Sequence, residues 1–234
     1  MTVGGVLGEA WELYKRFLGR FFLTALVLFA VLDLLSALAD QAASDGWTSG
    51  LFWGLVAAIV SIVGYFWVQA ALVETVHDVR DGRADRTIGE TYRAVQPQLG
   101  AVILGGILAA IGITIGFILL IVPGLFLLTI WSMLIPVIVL ERRSTGEAFT
   151  RSREVVRGNG WPVLGLVIVT FLLVAIASGV IRAVFAPLPD FLDAWLGGLV
   201  AHSVTIPFAA AALTTAYFAL TRGESPDSAV SAPL

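Results

Sequence analysis

The chain has 234 residues, of which 58% are hydrophobic and only 13% charged, and its formal net charge is −3. Soluble domains carry about 25% charged residues, so this composition excludes a soluble globular protein. The chain has no cysteine, which excludes disulfides, zinc–thiolate sites and a cysteine nucleophile. The composition therefore predicts an integral membrane protein.

Six apolar segments are long enough to be membrane-spanning helices, because a bilayer core of about 30 Å needs about 20 helical residues. The third and fourth lie in one apolar run whose length suits two crossings. Pro123 and Gly124 in "IVPGLF" (Ile121–Phe126) predict a tight hairpin between them, and Pro136 predicts a kink in the fourth. The six predicted spans are Phe21–Ala39, Leu51–Val73, Gly100–Val122, Leu125–Leu140, Trp161–Phe185 and Trp195–Leu220.

The distribution of charge predicts the orientation of the spans. With six crossings, the basic segments before span one, between spans two and three, between spans four and five and after span six share one side. On the other side Arg182 is the one basic residue. The positive-inside rule then places both termini in the cytoplasm of a prokaryotic cell, with the chain in the cell membrane.

The two chain ends raise separate points. The first apolar run ends in "ALA" at Ala37–Ala39, which also fits a cleaved signal peptide, although Asp33 interrupts the run and the leader would be long. Residues 223–234 are rich in Ser, Pro and Ala, and this composition predicts a disordered cytoplasmic tail. The remainder, residues 1–222, is predicted to be one transmembrane domain.

A short motif occurs three times, as "GEAW" (Gly8–Trp11), "GETY" (Gly89–Tyr92) and "GEAF" (Gly146–Phe149). Each copy opens an amphipathic stretch that precedes a pair of spans. We therefore expect an all-α bundle of six transmembrane helices plus three amphipathic interfacial helices on the cytoplasmic side. The repeat units cover about residues 4–77, 86–141 and 143–222.

The ends of these amphipathic stretches carry recognisable capping signals. Ser144 with Glu147, and Thr87 with Glu90, have the spacing of a capping box, which the first copy lacks. Gly158 and Asn159 predict a left-handed end to the third helix.

The third stretch is unusually cationic, with five arginines between Arg142 and Arg157. The simpler interpretation is topological anchoring, because cytoplasmic loops are enriched in basic residues. The second is a binding site for the phosphate of an anionic lipid. The residues of that site would be Arg143, Arg151, Arg153 and Arg157.

One set of residues between Ile121 and Gly165 forms a recognisable pattern: Pro123, Gly124, Pro136, Glu141, Ala148, Ser152, Gly158 and Asn159. With these residues the segment resembles the glycerophosphodiester phosphodiesterase membrane-domain family and its uncharacterised prokaryotic multi-pass relatives. In some members this membrane domain adjoins a soluble phosphodiesterase domain, for which this chain has no room. The resemblance therefore implies a membrane scaffold without the enzymatic activity.

Three constellations were weighed as catalytic sites. "DVRDGRADR", with Asp78 and Asp81, resembles the start of the CDP-alcohol phosphotransferase signature, but Leu99 and Ile103 stand where its later aspartates belong. Ser178 with His202 suggests an intramembrane serine protease, but no oxyanion donor is evident. Glu74 and His77 form one E-x-x-H pair where a carboxylate-bridged metal site needs two.

Asp33 is an ionisable residue inside a predicted span, which is costly and suggests function. Arg182 and His202 are expected at a similar depth and could pair with it. Such a pair could tie the bundle together or line a proton or solute path.

The sequence thus favours a non-catalytic module that binds membrane lipid, a membrane protein partner or a second copy of itself. A small transporter using Asp33 is the alternative, and a lipid-modifying enzyme at Asp78 and Asp81 is less favoured. We expect no cofactor, no metal and no nucleic-acid partner.

Overall fold

A computed structural model of the protein describes residues 1–45 and 47–222. The predicted tail, residues 223–234, lies outside the described residues. Within them the chain is entirely helical, with a 3₁₀ turn at Gln96–Gln98, a π-helical turn at Asp193–Gly197 and no strand. The α-helices are α1 (Val3–Arg16), α2 (Leu18–Asp45), α3 (Trp47–Val79), α4 (Ile88–Val95), α5 (Leu99–Leu119), α6 (Ile121–Ile130), α7 (Leu134–Glu141), α8 (Thr145–Val156), α9 (Gly160–Phe185), α10 (Asp190–Leu192) and α11 (Gly198–Thr221).

Six helical segments of the described chain are long and apolar enough to cross a membrane. This agrees with the number predicted from the sequence, and the protein is a multi-pass membrane protein of all-α class. Backbone hydrogen bonds within each helix satisfy the polar groups that lipid cannot. The segments are Leu18–Ala42, Gly50–Val79, Ile88–Leu119, Ile121–Glu141, Gly160–Phe185 and Asp190–Thr221.

The two interruptions of the fourth segment lie about one turn before the prolines that were predicted to form them. The hairpin turn falls at Leu120, whose backbone is extended, and Pro123 lies in the first turn of α6. The break in the segment falls between α6 and α7, and Pro136 lies in the first turn of α7. A first turn tolerates proline because its N–H groups have no helical partner. The two prolines therefore follow the interruptions that they were predicted to form.

The α5–α6 hairpin depends on two glycines. A Cβ atom on Gly116 would lie 3.0 Å from the Cα of Gly124, so the two backbones touch. A Cβ on Gly124 would lie 2.4 Å from the ring of Phe117. Small residues permit this close approach of membrane helices.

Helices α1, α4 and α8 each bury one face against other helices of the bundle. Their exposed faces carry the charged residues. The amphipathic pattern is thus satisfied largely by protein packing. The buried residues are Val6, Ala10 and Tyr14 of α1, Thr91, Tyr92 and Val95 of α4, and Ala148, Ser152, Val155 and Val156 of α8.

Each of these helices also presents the aromatic residue of its motif to an aromatic ring of another part of the bundle, on α11, on α3 and at the end of α6 respectively. Trp11 meets Phe208 with ring centroids 5.9 Å apart, Tyr92 meets Trp67 at 5.8 Å, and Phe149 meets Trp131 at 5.0 Å. All three contacts are edge-to-face, the geometry that the ring quadrupoles favour.

Two tyrosines fasten the amphipathic helices to the bundle at long range. The Tyr14 hydroxyl donates to the Val204 carbonyl at 2.9 Å, and the Tyr92 hydroxyl donates to the Thr24 carbonyl at 2.5 Å. Burial raises the pKa of Tyr14, so this phenol stays a neutral donor.

The predicted capping boxes are confirmed at Thr87 with Glu90 and at Ser144 with Glu147, and α1 has no side-chain cap. Hydrogen bonds from the Ser144 side chain and backbone hold the pKa of Glu147 below its usual range. This carboxylate therefore stabilises the start of α8 above the ordinary carboxyl pKa, and the contribution is lost as the pH falls through the lowered value. Gly158 has φ of +82°, as the predicted left-handed end requires.

The glycine contact in the hairpin gives a direct test of this packing. We expect Gly116→Val to lower the free energy of unfolding by about 1–3 kcal/mol, because the new side chain meets the Gly124 backbone. Gly100→Val is the matched control on the same helix, since a Cβ there meets nothing within 4 Å. Thermal unfolding in detergent measures both. Equal stability of the two variants would contradict the close approach of α5 and α6.

Candidate functional site

A partly buried ionic cluster joins α7, α8 and α11 around the Glu141 carboxylate. Glu141 accepts hydrogen bonds from Nε of Arg143 at 2.6 Å, Nε of Arg151 at 2.9 Å and the Tyr217 hydroxyl at 2.8 Å. The side chains of Glu141 and Arg151 are each only 17% exposed. Charge-assisted hydrogen bonds of this kind are strong and directional. Glu141 thus fixes the positions of both arginines.

This cluster divides the four arginines that the sequence grouped together. Arg143 and Arg151 point to Glu141, and Arg151 also lies 3.8 Å from Glu154. Arg153 and Arg157 are exposed, and within residues 1–45 and 47–222 neither forms an ion pair. The structure therefore leaves Arg153 and Arg157 as the cations available to a ligand.

Arg153 and Arg157 line a polar cavity of about 540 Å³ between α6, α8 and the start of α9. Beside it lies an apolar groove of about 380 Å³ between α6 and the first turns of α9. The two share Phe126, Ile130 and Gly160 in their linings, so they adjoin each other. The cavity is also lined by Thr150, Glu154, Val156 and Gly158, and the groove by Val122, Leu125, Thr129, Trp161 and Leu164.

Several residues of the family-like segment place α8 beside this cavity. The Ser152 hydroxyl donates to the Ile130 carbonyl at 2.7 Å, which joins α8 to the end of α6. The edge-to-face contact of Phe149 with Trp131 holds the same two elements together. Gly158 then turns the chain, and Asn159 precedes the first residue of α9. The middle and the C-terminal end of α8 are thereby fixed.

The structure also brings together two of the three predicted intramembrane polar residues. Nδ1 of His202 lies 2.9 Å from one Asp33 oxygen and 3.1 Å from the other. Arg182 reaches the same region, since one of its terminal nitrogens lies 3.6 Å from the Cβ position of Gly198, but no ion pair joins it to Asp33. Asp33 and His202 therefore connect α2 to α11.

Asp78, Asp81 and Ser178 bond to groups other than the catalytic partners considered for them. Asp78 accepts from the backbone N–H of Arg86 at 3.4 Å, and Asp81 accepts from that of Arg83 at 3.0 Å. The Ser178 hydroxyl donates to Thr205 at 3.2 Å rather than to His202.

The charged loop after α3 holds one further ion pair. Arg86 pairs with Glu74, whose carboxylate also lies 4.0 Å from His77. Across the described chain, no three His, Asp or Glu side chains stand close enough to hold a metal ion.

Two parts of the site escaped the sequence interpretation. From the sequence Tyr217 is only a residue of the last span. Its contact with Glu141 is not predicted, because the two residues lie 76 positions apart in the chain. The groove forms from two apolar helices, and apolar residues carry no pattern that reveals which faces leave a space between them. A polar aromatic near the end of an otherwise apolar span was the only available signal for Tyr217.

The described architecture defines a multi-pass membrane protein with a polar cavity beside an apolar groove. Residues 47–221 match the family described as Domain of unknown function (DUF7847), and because the match covers more than half of the chain, the protein belongs to this family. No curated protein and no solved structure matches the chain. The matched region contains the cavity, the groove and the Glu141 cluster, while Asp33 lies before it.

A substitution that removes only the charge of Glu141 tests the role of this cluster. We expect Glu141→Gln to lower the free energy of unfolding by about 2 kcal/mol, because Arg143, Arg151 and Tyr217 lose the charged acceptor that they share. Glu12→Gln is the control, since its pair with Lys15 is exposed on both sides. Thermal unfolding in detergent compares the two, and a Glu141 variant as stable as the Glu12 variant would contradict the structural role of the cluster.

Proposed function

We propose that this protein is a non-catalytic module of the prokaryotic cell membrane that binds a membrane lipid or a membrane partner at the exposed surface of α8. One observation carries the proposal: a polar cavity lined by Arg153 and Arg157 adjoins an apolar groove. A membrane lipid has the same division into a charged head and an apolar chain. A soluble polar ligand would make no favourable contact with the apolar groove.

The proposed orientation places α8 and both termini in the cytoplasm. It rests on the positive-inside rule, because the flanks Lys15–Arg20, Arg80–Arg93, Arg142–Arg157 and Arg222 share one side when all six segments cross. Anionic lipid at the inner surface would then face the arginines of α8.

The proposed architecture is three related units, each an amphipathic helix followed by a pair of spans. The three edge-to-face aromatic contacts support it, because each involves the motif aromatic of one unit. In this arrangement α1 packs on α11, so the first unit meets the last. The proposal also keeps the resemblance to the phosphodiesterase membrane domains, as a scaffold and without their enzymatic activity.

A second candidate function is a small transporter that uses Asp33, His202 and Arg182. The contact between Asp33 and His202 inside the spans is the observation that favours it, because such pairs occur in proton pathways. The test measures proton or solute flux into vesicles that contain the protein. Flux that Asp33→Asn abolishes would support transport and would replace the binding-module proposal. For an enzyme at Asp78 and Asp81, the structure offers two carboxylates that already accept hydrogen bonds from the backbone.

The binding proposal is tested by native mass spectrometry of the protein released gently from its own membrane. We expect a stoichiometric anionic lipid, or a retained protein, that is lost in Arg153→Gln/Arg157→Gln. The matched control is Arg83→Gln/Arg93→Gln, which removes the same charge from two other exposed arginines. Bare protein in the wild type, or equal loss in both variants, would contradict the proposal.

A further inference from the structure

We propose that the joined cavities bind one anionic phospholipid, with its phosphate between Arg153 and Arg157 and one acyl chain in the groove between α6 and α9. This deepens the proposed function and rests on it. It commits to the ligand class, to two of the arginines and to a specific surface of the apolar helices.

The polar cavity suits a phosphate group. Arg153 and Arg157 are its two cations, and Glu154 is its one acidic residue. Glu154 lies 3.8 Å from Arg151, which offsets part of its charge from outside the cavity. The cavity therefore keeps a positive balance, and guanidinium groups bind phosphate oxygens with strong hydrogen bonds.

The start of α9 adds a second attraction for an anion at the same place. Gly160, which lines the cavity, is the first residue of this 26-residue helix. The N–H groups of a first helical turn have no partner within the helix, and the helix dipole is positive there. In α9 these are the N–H groups of Gly160 and Trp161, because Pro162 has none. A phosphate in the cavity would thus face two side-chain cations and one helix N-terminus.

The groove suits a hydrocarbon chain. Its lining is apolar except for Thr129, whose hydroxyl is already bonded to the Leu125 carbonyl at 2.6 Å. Its edges are formed by Val122 and Trp161, which are 75% and 84% exposed. In a membrane protein such exposed apolar residues contact lipid, and tryptophan favours the interface between chains and headgroups. A chain can therefore enter the groove from the bilayer itself.

The junction between cavity and groove favours a lipid over a free phosphate or a peptide. Both parts are lined by Phe126, Ile130 and Gly160, so a molecule that lies across these three residues would occupy both. Inorganic phosphate would fill only the cavity. A peptide in the groove would bring backbone polar groups into a lining with no free partner for them.

Gly160 offers a way to block the junction while leaving the arginines unchanged. A Cβ there meets nothing within 4 Å, and its φ is not in the left-handed region, so a side chain can be accommodated. Gly160→Phe would place an aromatic ring where head and chain meet. Gly146→Phe is the matched control, because Gly146 also has open space and lies at the opposite end of α8.

The experiment titrates purified full-length protein in detergent with four probes and reads bound mass by native mass spectrometry. The probes are dioleoyl phosphatidylglycerol, dioleoyl phosphatidylcholine, dihexanoyl phosphatidylglycerol and inorganic phosphate. For the wild type we expect one tightly bound dioleoyl phosphatidylglycerol, with weaker binding of the other three. Arg153→Gln/Arg157→Gln should remove the preference for the anionic headgroup, a change of about tenfold or more.

Gly160→Phe should weaken dioleoyl phosphatidylglycerol by about tenfold, because a few buried methylene groups account for that much affinity. It should leave dihexanoyl phosphatidylglycerol nearly unchanged, and Gly146→Phe should resemble the wild type. If the wild type retains anionic lipid but neither variant changes its binding, this site is wrong and the proposed function survives. If the wild type binds no probe, both fail. Equal binding of inorganic phosphate and the long-chain lipid would overturn the role of the groove.

Discussion

The α8 side of the bundle depends on the hydrogen bonds that the Glu141 carboxylate accepts. Glu141 is the last residue of α7. Its carboxylate accepts hydrogen bonds from two arginines of the following segment and from the Tyr217 hydroxyl of the last long helix. In the half-buried setting of these groups, an unpaired charge would be costly, so the carboxylate and its donors must stay together. This requirement fixes where α8 begins relative to α7 and α11.

The position of α8 has a direct consequence for the arginines. With Arg143 and Arg151 bound to Glu141, the cationic helix separates into a structural part and an open part. The open part, Arg153 and Arg157, lies where α8 approaches α6 and where α9 starts. The hydroxyl of Ser152 and the ring of Phe149 hold α8 against the end of α6. The same packing that stabilises the fold therefore leaves a charged cavity above an apolar groove.

Much of the fold could be predicted because membrane helices obey strong local constraints. Length and hydropathy predicted six spans, and the capping boxes at Thr87 and Ser144 predicted two helix starts. The prolines were less informative, since Pro123 and Pro136 follow breaks whose positions depend on packing. The cluster of Arg143, Arg151 and Tyr217 around the end of α7 could not be assigned from spacing, because Tyr217 approaches it only in the folded chain. The sequence grouped four arginines by proximity along the chain, whereas their roles depend on contacts across it.

The central claim is that a phospholipid occupies the space between α6 and α9 with its phosphate at Arg153 and Arg157. The most direct measurement is a crystal structure of the protein with phosphatidylglycerol whose acyl chains carry bromine near the glycerol. The anomalous scattering of bromine locates the chain independently of any density interpretation. The account predicts a bromine peak beside Phe126 and Leu164, with phosphate density between the two arginines. Bromine peaks only elsewhere on the lipid-facing surface, with no density at Arg153 and Arg157, would contradict it.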